Sequence, residues 1–540
     1  LTKARLALIF IIFEAAVLYF GNGMVGLFES SEARYAEVSR EMLETGDYIS
    51  PRMDYVFHFT KPPLAYWLTS LGMAVFGVNP FGVRFFVTLF ALLTLWVVFR
   101  IGEEEDGSGL EPMVILGAFP LFFVMARILT TDIFLMFFVA LGYYLYLLRE
   151  KGRLGKRSFD ILFGLTGGLA VLTKGQVPIL YWLLIFGGMA AADRSWKPLK
   201  TLCSPVLLAT VVLSSGWWFA AVGFRHEGLL QYLFFKESVE AGYSSNRFHP
   251  GPFYYYIPVM LGGLFPFWVL MPPLRRLFRE PKMARLAGFT FLPLLIWSAF
   301  PAKLPTYLLP SAPGWALLLA GPFREGTKRF AAAPFALSAV LSASAVFVAA
   351  KSREHLNCGA HAALAVLGVS AAAALAAAIL AARRKRDAAL AVTFASIVAA
   401  SLAAPMIISK APEKFKISED MSLTISRNMK AGDEVLELRT TAFSVPFYVG
   451  KKVYAFENNF FRKKFLGERP SHILEGEEEL RAFMSGNPSV WIVADKKSEP
   501  FLLENYPSCR LFRKGERYII YVTPAIWERE RAQAPQPQER

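Results

Sequence analysis

The residues able to do chemistry gather at a few places in an otherwise apolar sequence. Glu29, Glu32, Arg34 and Glu37 come close together, and Lys61 stands directly before Pro62-Pro63. Arg127 and Asp132 bracket the run Ala126-Arg-Ile-Leu-Thr-Thr-Asp132, and Lys174 sits in Leu-Thr-Lys-Gly. Arg247 and His249 are neighbours, and Lys303 belongs to Phe300-Pro-Ala-Lys-Leu-Pro-Thr-Tyr307. Carboxylates combined with several lysines and arginines suit a phosphorylated substrate: the cations bind the phosphate, and a carboxylate handles a proton or a developing positive charge.

Each of these residues also has a plainer reading. Lys61 and Arg34 could be snorkelling anchors at a membrane interface. Glu37, Glu41 and Glu44 read as a solvated helix face. Glu32 could cap a surface helix or pair with Arg34. Glu29 and Glu32 would share a face if the stretch is helical, so either could supply a carboxylate. Glu14 could be a packed polar contact or a misplaced helix boundary, nothing in the spacing marks His58, His226 or His249 as a ligand, and Pro62-Pro63 suits the start of a helix. Neither Gly155-Lys156 nor Gly450-Lys451 has the upstream glycine of a Walker A loop, so an ATP-driven transporter would need another subunit to bind nucleotide.

The elements that must position these residues are apolar. The chain has 540 residues, 54% of them hydrophobic, and a mean hydropathy of +0.39. A bilayer core of ~30 Å takes ~20 apolar residues per helix, and no repeating ten-residue alternation suggests barrel strands. Helices are expected at 6–27, 83–100, 112–126, 132–148, 159–174, 176–192, 201–222, 255–273, 285–300, 305–321, 331–350, 361–382 and 388–408. The pair around Lys174 could instead be one broken helix. The first run is longer than a signal-peptide core and lacks a following A-x-A site, which favours a retained helix.

Orientation follows from the loops. With a cytoplasmic N-terminus, the inner loops carry Arg149 to Arg157, Arg194 to Lys200, Arg275 to Arg285, Arg324 to Arg329 and Arg383 to Arg386. The formal charge of +15 therefore sits in short loops, which argues against a nucleic-acid partner. Cys203, Cys358 and Cys509 form no metal spacing; Cys358 and Cys509 could pair if both lie outside. The outer face then receives a long loop at 28–82, a second at 223–254, and everything after about Ser409. A membrane domain at 1–411 would be followed by a soluble α/β domain at 412–540, with strands at Glu434–Leu438, Ser489–Ala494 and Arg517–Val522 and a helix at Leu474–Met484. Residues 32–45 read as a helix on the membrane surface, stopped by Gly46. Arg529 to Arg540, charged and Gln/Pro-rich, reads as disordered.

Several runs carry a resemblance. Glu32-Ala-Arg-Tyr-Ala-Glu-Val-Ser-Arg-Glu-Met42, Gly46-Asp-Tyr-Ile-Ser-Pro51, Phe59-Thr-Lys-Pro-Pro-Leu-Ala-Tyr-Trp67 and Phe81-Gly-Val-Arg84 come first. Thr131-Asp132, Leu172-Thr-Lys-Gly175 and Lys303-Leu-Pro-Thr-Tyr-Leu-Leu-Pro310 follow in order. Together they resemble the aminoarabinose transferases that modify lipid A and their relatives among bacterial membrane glycosyltransferases. The resemblance is specific over about the first 320 residues.

It implies an all-α polytopic membrane bundle of the GT-C type, with short helices of the first outer loop along the membrane, in the bacterial inner membrane. The implied activity is inverting transfer of a sugar from a polyprenyl phosphate carrier to lipid A or another envelope glycan or lipid on the outer face. Lys61 would bind the carrier phosphate, with Arg34, Tyr35, Lys174, Arg247, Lys303 and Tyr307 completing the substrate site. Glu32 and Asp132 would be the catalytic carboxylates. The family's Asp-Glu pair reads Ser31-Glu32 here, and the acidic residue before Lys-Pro-Pro reads Thr60. A divalent metal would need an acidic ligand there beside a histidine such as His249. A lipid-linked glycan flippase and a protein O-glycosyltransferase on the same scaffold are the alternatives; a flippase would call for internal repeats and midplane charges, and neither is visible.

Overall fold

The computed structural model describes residues 2–29, 31–233, 250–265, 267–325, 412–458, 460 and 469–533, with isolated positions at 372, 376, 379, 405, 408 and 409. The chain forms two compact units. The first comprises Leu1–Asn22, Thr60–Leu68 and Arg84–Ile407, and the second Gly23–Phe59, Thr69–Val83 and Ile408–Arg540.

The first unit is helical because its apolar runs leave no other way to satisfy the backbone. Three described helices are long and apolar enough to cross a membrane: Pro80–Asp106, Thr131–Glu150 and Pro205–Arg225. Lys3–Tyr19, Lys156–Lys174, Val177–Ala192, Pro281–Ala299 and Ala312–Glu325 are further helices of this unit. The pair around Lys174 is two helices. Gly175 separates them with a φ of 61°, a conformation that costs glycine little.

Other expectations need correcting. The run at 112–126 is broken into Leu110–Gly117 and Pro120–Met125, because Pro120 takes the first position of a new helix. The run at 201–222 opens with a separate short helix, Lys197–Leu202, before Pro205. The run at 255–273 is not a continuous span: the described part is a 3-10 turn, the helix Tyr256–Gly263 and a second 3-10 turn, Phe267–Leu270. The run at 305–321 begins as the 3-10 segment Pro305–Ser311. The expected helices at 331–350, 361–382 and 388–408 fall almost wholly outside the described residues.

Small residues let these helices approach closely. A Cβ built on Gly188 would lie 2.6 Å from the Gly288 Cα, and one built on Gly288 would lie 2.7 Å from the Gly188 Cα. Gly164 and Gly168 similarly face Thr210 and Ser214 of the helix Pro205–Arg225.

The second unit is built on a sheet. Its strands are β3 (Glu434–Leu438), β4 (Tyr454–Phe456), β5 (Ile473–Leu474), β6 (Val490–Asp495), β7 (Arg510–Lys514) and β8 (Tyr518–Val522), in the order β5-β4-β3-β6-β8-β7. β5, β4, β3 and β6 run parallel, while β8 and β7 are antiparallel additions. Alternation sends Leu436, Leu438, Ile492, Ala494, Ile519 and Tyr521 to one core. Val435, Trp491, Val493, Ile520 and Val522 go to the other. Leu474 is in a strand, so the expected helix at Leu474–Met484 starts later, as Glu477–Gly486. The tail reading is corrected as well. A helix spans Pro524–Gln533, and Arg529 donates from Nη1 and Nη2 to the two oxygens of Asp433 at 2.8 Å each. Residues 534–540 lie outside the described residues.

The same unit includes most of the first loop. The helix Ser31–Thr45 is followed by a hairpin of β1 (Arg52–Met53) and β2 (Val56–Phe57). The turn residues Asp54 and Tyr55 both have positive φ, 52° and 59°, where Asn-Gly is the usual choice. Asp54 is held there from the sheet side: its carboxylate accepts from the Val453 N–H at 2.9 Å, and its carbonyl lies 2.8 Å from His472 Nε2.

Candidate functional site

In the helical unit three of the expected residues, Asp132, Lys174 and Tyr307, come together around a buried ion pair. Thr131–Glu150 carries Asp132 in its first turn, and Lys156–Lys174 ends on Lys174. A carboxylate at a helix N-terminus and an ammonium at a C-terminus each complement the local backbone dipoles. Here Lys174 Nζ lies 2.5 Å from Asp132 Oδ1, with the two side chains 9% and 7% exposed. The same ammonium sits 4.8 Å from the centre of the Tyr307 ring. Tyr307 is fixed in turn: its carbonyl accepts from the Tyr181 hydroxyl, which accepts from Trp297 Nε1 at 2.9 Å. Tyr181 and Trp297 were not singled out in the sequence, where aromatic residues make up 15% of the chain and give no local signal.

Lys303 is buried and spends its ammonium on backbone. It donates to the carbonyls of Trp297 at 2.9 Å, Ser298 at 2.6 Å and Phe300, capping the end of Pro281–Ala299. Lys61 is half-buried and donates to the Thr60 carbonyl at 2.7 Å. Pro62-Pro63 leads straight into the helix Leu64–Phe76, so the prolines do mark a helix start. Arg127 donates to the Val17 carbonyl and lies over Phe123. Arg247 and His249 lie outside the described residues, as does Cys358.

Glu32, Arg34 and Tyr35 belong to the sheet-containing unit. The helix starts at Ser31, so Glu29 precedes it and does not share a helical face with Glu32. Glu32 is buried and accepts from the Phe28 N–H at 2.9 Å, a contact that fixes the start of the helix. Glu29 is held by the Ser444 hydroxyl, and burial pushes its carboxyl above the usual range despite that hydrogen bond. The Arg34 guanidinium lies 5.2 Å from the Tyr35 ring and 5.8 Å from the rings of Phe443 and Phe460.

The solvated-face reading of Glu37, Glu41 and Glu44 holds only for Glu44. Glu37 is fully buried in a bidentate pair with Arg40 at 2.7 and 2.8 Å. Glu41 is buried and accepts from the Tyr55 N–H at 2.9 Å. Its carboxyl is raised well above the usual range by burial, then by the neighbouring Glu37 and Asp54. Among the described residues, no group of three or more His, Cys, Asp or Glu side chains is placed to hold a metal ion.

Residues 60–218 match the family described as dolichyl-phosphate-mannose-protein mannosyltransferase. The chain is 31% identical over 326 residues to the undecaprenyl phosphate-alpha-4-amino-4-deoxy-L-arabinose arabinosyl transferase of Erwinia tasmaniensis, a match covering 58% of this chain and 59% of that protein. It is 32% identical over 304 residues to the transferase of the same name from an Enterobacter species, covering 54% of this chain and 55% of that one. The matched region is thus under two thirds of the length of those relatives. The crystal structure of ArnT from Cupriavidus metallidurans bound to undecaprenyl phosphate superposes with a TM-score of 0.85 at 19% identity, covering 96% of this chain and 98% of that one. The chain therefore resembles these undecaprenyl phosphate-aminoarabinose transferases in sequence and has the GT-C fold of ArnT, mostly helical with a sheet-containing C-terminal region.

Proposed function

We propose that this protein transfers a sugar from a polyprenyl phosphate carrier to lipid A or another envelope glycan or lipid, at the outer face of the bacterial inner membrane. The observation that carries this reading is the buried Asp132–Lys174 pair beside Tyr307, in a chain whose fold matches a protein crystallised with undecaprenyl phosphate. The aminoarabinose in the relatives' names is the sugar to try first.

The reaction follows from the residue types. A nucleophilic oxygen of the acceptor attacks the anomeric carbon from the face opposite the carrier. The bond from that carbon to the carrier phosphate breaks, and the phosphate leaves with the electron pair. Lys61 takes the carrier phosphate, with Arg247 and the Asp132-paired Lys174 adding positive charge as the leaving group develops its own, while Lys303, held by three backbone carbonyls, fixes a helix end instead. Tyr307 shapes the substrate site beside Lys174. Glu32 or Asp132 receives the acceptor's proton. Ser31 cannot take that role unless another group activates it.

The topology in this reading has about thirteen crossings, a cytoplasmic N-terminus, a membrane domain at 1–411 and a periplasmic domain at 412–540. Basic residues in the expected inner loops support it. Mass spectrometry of lipid A, other envelope glycans and carrier-linked sugars, in cells with and without the protein, tests the function. The expected result is loss of one sugar modification from an outer-face lipid and build-up of its carrier-linked donor. Unchanged acceptors with a donor trapped inside the cell would point to a flippase instead.

A further inference from the structure

We propose that the sheet-containing unit binds a phosphate-bearing saccharide in a cavity at the carboxyl end of its parallel strands. The proposal does not rest on sugar transfer.

The topology points to the place. From β3 the chain moves to β4 and β5 on one side, then returns to place β6 on the other side of β3. Successive connections therefore diverge between β3 and β6. In open α/β sheets, ligands bind outside the carboxyl ends of the strands at such a switch point. Arg439, Thr440 and Thr441 follow β3 there, and Asp495 ends β6 with Lys496 and Lys497 directly after it. These residues, with Arg517 and Tyr518, line a cavity of about 440 Å³. Small-molecule sites typically enclose ~300–1,000 Å³.

The lining says what kind of molecule fits. It contains no aliphatic side chain, so an acyl or prenyl tail has nothing to pack against. Its charge is strongly positive, and its one carboxylate is already engaged. Asp495 Oδ1 accepts from the Lys497 N–H at 3.0 Å, the Ser498 N–H at 2.9 Å and the Ser498 hydroxyl at 2.8 Å. Arg439 is paired with Glu457 at 2.7 Å. Lys496 and Lys497 are exposed, and among the described residues neither has a carboxylate partner. Two such lysines and Arg517 around one cavity match a phosphate, and the remaining polar volume matches a sugar. Arg439 also holds a φ of 54° directly after β3. Its N–H donates to the Phe456 carbonyl at 2.9 Å, and its guanidinium stacks 3.7 Å from the Phe501 ring centre.

The test uses the full chain in detergent and measures binding of radiolabelled glucose 1-phosphate by equilibrium dialysis. Saturable binding is expected, weakened about tenfold or more in Lys496→Ala/Lys497→Ala. Lys496→Arg/Lys497→Arg should retain it, and so should Lys61→Ala, whose loss would affect only the proposed carrier site. Thermal unfolding of each variant should match the parent. Competition then separates the sources: displacement by lipid A micelles but not by phosphatidylcholine micelles identifies a lipid headgroup, and no displacement by either identifies a free sugar phosphate. Three results would overturn the proposal: no saturable binding, equal binding by the alanine pair, or inorganic phosphate binding as tightly as glucose 1-phosphate.

Discussion

The two units bury charge in different ways. In the helical unit, Asp132 is matched by Lys174 at 2.5 Å, and Lys303 is surrounded by carbonyls at a helix end. The sheet-containing unit also holds a buried pair, Glu37 with Arg40, but Glu29, Asp54 and Glu437 are buried there with only hydroxyl, amide or backbone N–H partners. The difference follows from what each environment offers an ionised group. Between packed helices in hydrocarbon, a lone charge has no water to reach and must be paired. In a sheet domain, a carboxyl can instead stay protonated and hydrogen-bonded, and its pKa rises.

Breaking the helical unit's pair should have the largest effect. Lys174→Ala leaves Asp132 buried without its cation, a change that costs about 3–5 kcal/mol. Thermal unfolding in detergent should fall sharply. Lys174→Met combined with Asp132→Leu should recover much of the loss in stability but not activity. If Lys174→Ala alone keeps the parent's stability, the pair is not a buried unit. A smaller effect should come from packing. Gly288→Ala forces apart the helices Val177–Ala192 and Pro281–Ala299, at about 1–3 kcal/mol, whereas a Cβ on Gly187 meets nothing within 4 Å. Equal unfolding temperatures for Gly288→Ala and Gly187→Ala would contradict this close approach.

The smallest effect sharpens the contrast through pH. Burial raises the carboxyls of Glu29, Glu41, Asp54 and Glu437. The folded state therefore holds protons that the unfolded chain releases near its ordinary carboxylate values. Their contribution is full below those values and is lost as pH rises through the raised ones. His472 opposes this at lower pH. Burial lowers it from 6.5 to about 4, so its contribution disappears as pH falls through that window. Above about pH 6.5 the histidine is neutral in both states and adds no slope. Hydrogen exchange in β3 and β6 should then show stability falling as pH rises above about 6.5. Asp54→Asn with Glu437→Gln should flatten that fall.

Much of this was legible in the sequence. β3 covers the expected residues, Glu434–Leu438, because a short apolar run bounded by turn residues is a local signal. The helices flanking Asp132 and Lys174 are legible as well, as longer apolar runs approaching the ~20 residues that a membrane span needs. What was not legible depends on distant partners. Glu37 and Glu41 show a charged helix face, yet they are buried in the unit that also contains residues 408–540. Asp54 finds Val453 across 399 positions. Glu29 falls outside the helix because its N–H pairs with the Lys416 carbonyl at 2.8 Å, a bridge no spacing rule could supply. Pro120 was a visible break, outweighed by the apolar run around it.

The most direct measurement of the central claim is reconstituted transfer. The purified chain in nanodiscs would be given undecaprenyl phosphate-linked aminoarabinose and lipid A, and both lipids followed by mass spectrometry. The account predicts a sugar-modified lipid A, with undecaprenyl phosphate released in equal amount. Turnover should be lost in Asp132→Asn or Glu32→Gln and kept in Ser31→Ala. Intact donor and unmodified acceptor after prolonged incubation of a well-folded preparation, with this donor and with other carrier-linked sugars, would contradict it.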